Sequence, residues 1–414
     1  MGLKPAELVT ATEVIEGLCE HLLIQDVPED ASYTGFLSID EPFGLDYKGF
    51  HEFYRRLLSF VLSLDDIGAL WSQDAIEGKI HTLLIDLAKR RYEGEEAPDF
   101  ASIAHDWLAD IGVEFEEFGC YVPVVGLSID TTLEIGTVMF HPLDSLRSEF
   151  EGQLISPYRE HLHPLRDCIA SSVIRAEKLR AIELLQIEVN WALNVLRLMG
   201  SLVWHNQPQG SIYVGGQEPK GSSYAVALGT QDSVSKGVDT GRVIPPFRID
   251  DEFLQVAKVY GLDHIRDIAS SDSQTELERA FLLSIQWYGE GIRETLPLYE
   301  FVKFYVAIEI ASKKKSESST KKHLPRRLSV LIYPWSKEKQ RNLEDGIGDL
   351  IDERNAVFHG GSPEKQSEDY LAWFSRVVAM QTLHHLRMAI EQEGLDTKEA
   401  LDSWVQQQYA TYLQ

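Results

Sequence analysis

The chain has 414 residues, 44% of them hydrophobic, with 39 Lys and Arg against 65 Asp and Glu and a net charge of −26. That length allows two or three domains, and the apolar content excludes a disordered chain. The acid excess excludes a surface that is basic throughout, because a generally negative protein repels nucleic acid.

Cys19, Cys120 and Cys168 are widely spaced and form no Cys-x-x-Cys pair. They point to reduced thiols in a cytosolic protein. The first residues lack the basic-then-apolar pattern of a secretory signal. No apolar run approaches the length of a membrane span. The expected location is cytoplasmic, with no membrane partner.

In chain order, residues 1–30 are mildly amphipathic, with Leu8, Val14, Leu18 and Leu22 as possible helix contacts. Residues 31–45, with Gly35, Pro42 and Gly44, read as irregular or as short strands. Helical patterns follow near 47–65, 67–93 and 101–111, the last closed by Gly112. The pattern then changes to short β-type runs at 121–125, 127–129 and 137–140. Residues 151–157 carry no clear signal. A helix over 176–199 is apolar on nearly every face, which predicts burial, and Gly200 ends it. Strands are expected at 212–214 and 224–228, and Pro245-Pro246 marks a domain edge.

From Asp250, a candidate N-cap, the pattern is almost wholly helical: about 251–269, 273–290, 298–313, 324–332, 337–359, 364–392 and 397–412. No internal repeat is visible. The expected architecture is therefore an α+β N-terminal region of mixed helices and short strands, residues 1–248, followed by an all-α C-terminal region, residues 249–414. Such a split suggests a sensing or regulatory module joined to an effector.

Several constellations carry no chemistry on inspection. His161 and His163 precede Pro164, and no Cys or His pair matches them at ligand spacing, so no metal is expected. The segment 216–223 superficially resembles a P-loop but lacks the Lys before the Ser. Asp130 with Glu134 has no Lys at the spacing of a metal-dependent nuclease. His384 and His385 are adjacent and point different ways, which predicts one packed and one solvated imidazole.

The stretch that concentrates chemistry is 349–361, Asp-Leu-Ile-Asp-Glu-Arg-Asn-Ala-Val-Phe-His-Gly-Gly. A helical pattern enters it from about Lys337, with Leu343, Ile347, Leu350, Ile351 and Phe358 roughly on one apolar stripe. Gly360, Gly361 and Pro363 end the helix. Arg354, Asn355 and His359 thus occupy its last two turns. Asn355 and His359 are four apart, so the amide can reach the imidazole. Arg354 and His359 are five apart and diverge by roughly 140° on an ideal helix. They meet at one phosphate only if the last turn loosens or a second chain completes the site. The plainer reading is a solvated Arg and a His that caps carbonyls.

Between Lys313 and Asn342 ten basic residues face two acidic ones. That segment carries +8 and leaves −34 for the remainder. It reads either as a phosphate-binding surface built on Lys313, Lys314, Lys315, Lys321, Lys322, Arg326 and Arg327, or as a solubilising loop. Glu309 shares a helical face with Val302, Tyr305 and Val306, where a carboxylate needs a partner unless water reaches it.

Arg-Asn-x-x-x-His followed by Gly resembles the signature of HEPN domains, many of which are metal-independent ribonucleases. The approach is similar too: a helix beginning Leu277-Glu278-Arg279-Ala280-Phe281 and carrying Trp287 and Tyr288, a second with Ala307-Ile308-Glu309, a basic segment with Arg326-Arg327-Leu328, then the Arg354 helix. This order resembles the Apea-like subgroup, named after abortive-infection proteins of bacteria. It covers about residues 270–392 well. Upstream the resemblance is looser and rests mainly on the run 121–127.

The resemblance implies a HEPN helical bundle with Arg354, Asn355 and His359 as catalytic residues and Glu309 supporting Arg354. It implies a metal-independent endoribonuclease without cofactor, paired as a homodimer through the HEPN domain. RNA, tRNA among the candidates, would be the substrate. The setting would be antiphage defence, with a phage-derived activator. The alternative is a non-catalytic HEPN dimer that binds RNA, a nucleotide or a protein partner.

Overall fold

The structure is a computed structural model. It describes residues 4–20, 22–23, 44–45, 47–92, 99–111, 115–142, 145, 168–204, 212–214, 224–228, 234–238, 246–271, 273–314 and 320–411. His161, His163, Lys315, Gly112, Pro245, the segment 216–223 and the stretch 151–157 lie outside these.

Two compact units emerge: residues 1–120 with 173–185, and residues 121–172 with 186–414. The domain edge expected near 248 thus falls inside the second unit.

The first unit is helical. It contains α1 (Pro5–Glu20), α2 (Tyr47–Ser63), α3 (Asp65–Leu70), α4 (Gln73–Tyr92) and α5 (Phe100–Ile111), and a short pairing of β1 (Leu22–Leu23) with β2 (Gly44–Leu45). The 67–93 pattern breaks into α3 and α4, which pack with α1, α2 and α5 around Ile15, Leu18, Leu57, Ile80, Leu84 and Leu108. The Trp71 indole donates to the Ile111 carbonyl at 3.1 Å and ties α5 to the α3–α4 junction.

The second unit holds most of a five-stranded sheet. Its strands are β3 (Glu116–Val125), β5 (Leu133–Ile135), β6 (Val138–Pro142), β7 (Cys168–Ala176) and β8 (Tyr213–Val214), in the order β5-β6-β7-β3-β8. β5–β6, β6–β7 and β3–β8 are antiparallel. β4 (Leu127–Ile129) pairs in parallel with β11 (Phe247–Ile249), and β9 (Tyr224–Leu228) pairs with β10 (Val234–Val238). The sequence pattern misses β1, β5, β7, β10 and β11.

Helix α6 (Lys178–Val203) continues through Gly200, and its second half is buried as its apolar pattern requires. It also carries Arg197, fully buried, whose guanidinium donates to the Asn194 side chain and the Ile212 carbonyl. Burial pulls its pKa down to about 9.

From Asp250 onward the described chain is helical: α7 (Asp251–Val259), α8 (Leu262–Ala269), α9 (Glu276–Arg293), α10 (Pro297–Ser312), α11 (Thr320–Ile332), α12 (Lys337–Gly360), α13 (Glu368–Glu393) and α14 (Lys398–Thr411). Asp250 accepts from the Phe253 amide, as an N-cap does. The single helix expected over 251–269 is two, because Gly261 takes φ +89°. A Cβ there would also strike the Arg387 guanidinium. α9 begins with a capping box made by Thr275 and Glu278. α10 packs against α9 and α13, and buries Phe301, Phe304, Tyr305 and Ile308. α11 starts at Thr320, earlier than expected, and contains Pro325 inside it, where the missing N–H removes the hydrogen bond to the Lys321 carbonyl.

Candidate functional site

Helix α12 presents the candidate residues. Ser336 caps its start by accepting from the Lys339 amide. Ile347, Leu350 and Ile351 are buried on its inner face. Phe358, expected on that stripe, is 58% exposed instead. The helix closes at Gly361, whose φ of +78° is the left-handed conformation that stops an α-helix.

Arg354 projects from the last two turns and is half-buried. Its guanidinium lies over two rings, Phe358 at 4.7 Å and Tyr305 at 5.4 Å from the centroids. Its Nη2 is 3.6 Å from the Glu309 carboxylate, and its Nη1 donates to the Asn355 side-chain oxygen at 3.1 Å. The Nε is buried without a hydrogen-bond partner among the described residues. The planar cation is thus held by charge, amide and two π-faces, a setting for which Arg is better suited than Lys.

Glu309 on α10 is the focus of this arrangement. Its side chain is 16% exposed, with Lys313 Nζ at 3.5 Å on one side and Arg354 on the other. Tyr305, one turn earlier, is buried, and burial first, then the Glu309 charge, pushes its hydroxyl pKa well above the usual range. Tyr305 therefore stays neutral beside the Glu309 carboxylate.

Asn355 pairs with Arg354 and not with the imidazole, unlike the pairing the four-residue spacing predicts. His359 is exposed, and among the described residues no hydrogen bond orients its ring. Arg354 and Asn355 are therefore organised together, and His359 stands at the helix end facing solvent.

Sequence reasoning missed Glu353, which is only 2% exposed. Its carboxylate accepts the backbone amides of Glu364 and Lys365, at 2.7 and 2.8 Å. It anchors the segment after Gly361 back onto α12 and so fixes the helix end that carries His359. The signal was a carboxylate beside two buried apolar residues, Leu350 and Ile351.

The basic segment divides. Arg327 is 2% exposed and buried, not part of a phosphate-facing surface. It donates to Asp402 and to the Ser312 carbonyl, because α14 covers this face of α11. Lys314 pairs with Asp402 at 2.7 Å and Lys321 with Asp352 at 2.6 Å. Burial raises the Asp402 pKa, but hydrogen bonds from Lys314 and Arg327 outweigh it and lower the balance. Lys313 belongs to Glu309. Lys322 and Arg326 remain exposed, the Arg326 guanidinium 3.6 Å over the Tyr409 ring.

His384 and His385 are both half-buried, against the expected split. Their rings contact Tyr260 and Trp335 respectively, and each other. Asp130 and Glu134 are bound to Arg248 and Arg266, and no group of metal-ligating side chains occurs among the described residues. No helix among them is long and apolar enough to cross a membrane. No protein-family model, curated protein or solved structure matches the chain.

Proposed function

We propose that the protein is a metal-independent endoribonuclease of the HEPN type. The observation that carries the reading is the Arg354 guanidinium, held by Glu309, Asn355 and two aromatic rings at the end of α12, one turn from an exposed His359. A preorganised cation on the same helix end as a solvent-facing imidazole suits phosphodiester chemistry.

In this reading a ribose 2′-hydroxyl attacks the adjacent phosphorus. His359 takes the proton from the nucleophile or gives one to the leaving 5′-oxygen. Arg354 donates to the phosphoryl oxygens as negative charge builds on them. Asn355 holds the guanidinium in place. The products carry a 2′,3′-cyclic phosphate and a 5′-hydroxyl. A second copy of the chain supplies the rest of the cleft, since Arg354 and His359 diverge along one helix. The Apea-like resemblance supports a role in bacterial antiphage defence, with RNA such as tRNA as substrate and a phage-derived signal as activator.

The His359 ring, which no hydrogen bond orients among the described residues, favours a second reading, a HEPN dimer that binds RNA, a nucleotide or a protein without cutting. Incubation of the purified protein with total RNA in EDTA decides between them. Cleavage with 2′,3′-cyclic phosphate ends supports the nuclease. Intact RNA that is nevertheless retained supports the binder.

A further inference from the structure

A cleft of about 510 Å³ opens in the second unit between α6, α9, the end of α8 and the two-residue turn from β5 to β6. That size lies within the range of sites for small organic molecules. The Trp191 indole forms part of the wall, its edge against Gly136 of the turn. Around it stand side-chain amides, Asn190, Gln274 and Gln286, and two carboxylates, Glu188 and Glu290.

The wall is organised in advance. Glu188 accepts from the Thr137 hydroxyl at 2.7 Å, and the Gln274 amide nitrogen donates to the Ile268 carbonyl at 3.1 Å. Asn194, deeper in, donates to the Gln286 carbonyl and accepts from Arg197. Arg293 is the lining's cation, and it is committed: it donates to Glu290 at 3.1 Å and lies over the Tyr213 ring at 5.4 Å. Two carboxylates against one engaged guanidinium make the lining net negative, which disfavours a phosphate.

The exposed Gln286 side-chain amide offers a donor and an acceptor side by side. That pattern matches the edge of a nucleobase, and an indole in the wall is the kind of side chain on which such a base stacks. We propose that this cleft binds a nucleoside without its phosphates, with the base against Trp191 and its polar edge read by Gln286. The proposal is independent of the chemistry assigned to Arg354. A free nucleoside and a base within an RNA strand share the recognised group, and the charge of the lining favours the free nucleoside.

Calorimetric titration of the full chain with adenosine, guanosine, cytidine and uridine, with their 5′-triphosphates and with a hexaribonucleotide, tests it. At least one nucleoside should bind with Kd below about 100 μM, and its triphosphate about tenfold more weakly or worse. Gln286 is exposed on α9, so Gln286→Ala should keep the melting temperature and weaken that nucleoside by about tenfold. No heat with any of the four nucleosides overturns the proposal. So does a triphosphate or hexanucleotide that binds as tightly as the nucleoside, or an unchanged affinity in Gln286→Ala.

Discussion

The Arg354 guanidinium stands 3.6 Å from the carboxylate of Glu309, two helices back in the chain. The pair is not isolated. Lys313 flanks Glu309 on the other side. Removing Arg354 therefore does not strand a buried charge, and Arg354 is itself part-exposed. Arg354→Ala should lower stability by only about 1 kcal/mol. Arg354→Lys keeps the charge and loses the planar fork, so the cleavage rate should fall by about a hundredfold while RNA affinity changes much less. Melting curves and single-turnover rates check both. A loss of several kcal/mol in Arg354→Ala, with stability and cleavage both restored by Glu309→Gln, would overturn the catalytic role.

His359 is exposed at the end of α12. His359→Ala should abolish cleavage and move the melting temperature by less than about 1 °C, as surface substitutions do. Retention of full cleavage by a folded His359→Ala protein would remove the imidazole from the mechanism.

The basic segment gives a contrast between two kinds of cation. Arg327 is buried against Asp402 and the Ser312 carbonyl, whereas Lys322 and Arg326 face solvent. Arg327→Met should destabilise the fold by about 3 kcal/mol, the lower end for a broken buried pair because Lys314 stays beside Asp402. Neutralising Lys322 and Arg326 together should cost no more than the Arg326 contact with the Tyr409 ring, about 0.5–1 kcal/mol, and flatten the salt dependence of RNA binding by about 1.4 in logarithmic slope. An unchanged slope would make this surface a solvated helix face.

That contrast also shows what the sequence can and cannot carry. The α12 end was legible because its signals are local: an apolar 3.6-residue period, then two glycines. The Glu309–Arg354 pairing was accessible only through the family resemblance, the residues alone leaving solvent exposure of Glu309 open. Arg327 was not legible, since its partner lies 75 residues on and a run of lysines hides one buried Arg. β7 was missed because its inward side chains include Ala170, Ser172 and Ala176, which give too little hydrophobic contrast for a period of two. The break between α7 and α8 needed the +89° φ of Gly261, which a lone glycine in a helical pattern does not announce.

His384 offers a pH-dependent reading of the fold. Burial, then the charges of His385 and Arg387, lower its pKa from 6.5 to about 4. Its Nδ1 is buried with no hydrogen-bond partner among the described residues. The unfolded chain takes up this proton near pH 6.5, the folded chain only near 4, so acid favours unfolding across that window. The stability contributed by the neutral ring is complete above pH 6.5 and is lost as the pH falls towards 4. Melting temperatures between pH 7 and 4 should fall less steeply in His384→Gln than in the wild type. Parallel curves would show that the ring is not buried in neutral form.

Glu353 tests whether the helix end must be held for the site to work. Its carboxylate is the acceptor for two backbone amides in the turn that follows α12, and water scarcely reaches it. Glu353→Gln is nearly the same size but turns one acceptor into an NH2 group. One backbone amide then faces a donor, and both lose a charged partner. Hydrogen bonds to a charged group are worth about 1.5–3 kcal/mol each, so the variant should lose at least about 2 kcal/mol of stability. The loss should loosen the segment 361–367 and with it the turn bearing His359, while Arg354 keeps its contacts to Glu309 and Tyr305. Hydrogen exchange should therefore rise at Glu364 and Lys365 and stay unchanged at the Arg354 amide, and cleavage should slow with little change in RNA affinity. If exchange at Glu364 and Lys365 is unaltered, Glu353 does not anchor the turn. If exchange rises there and cleavage is unchanged, the geometry of this helix end is not what positions the imidazole.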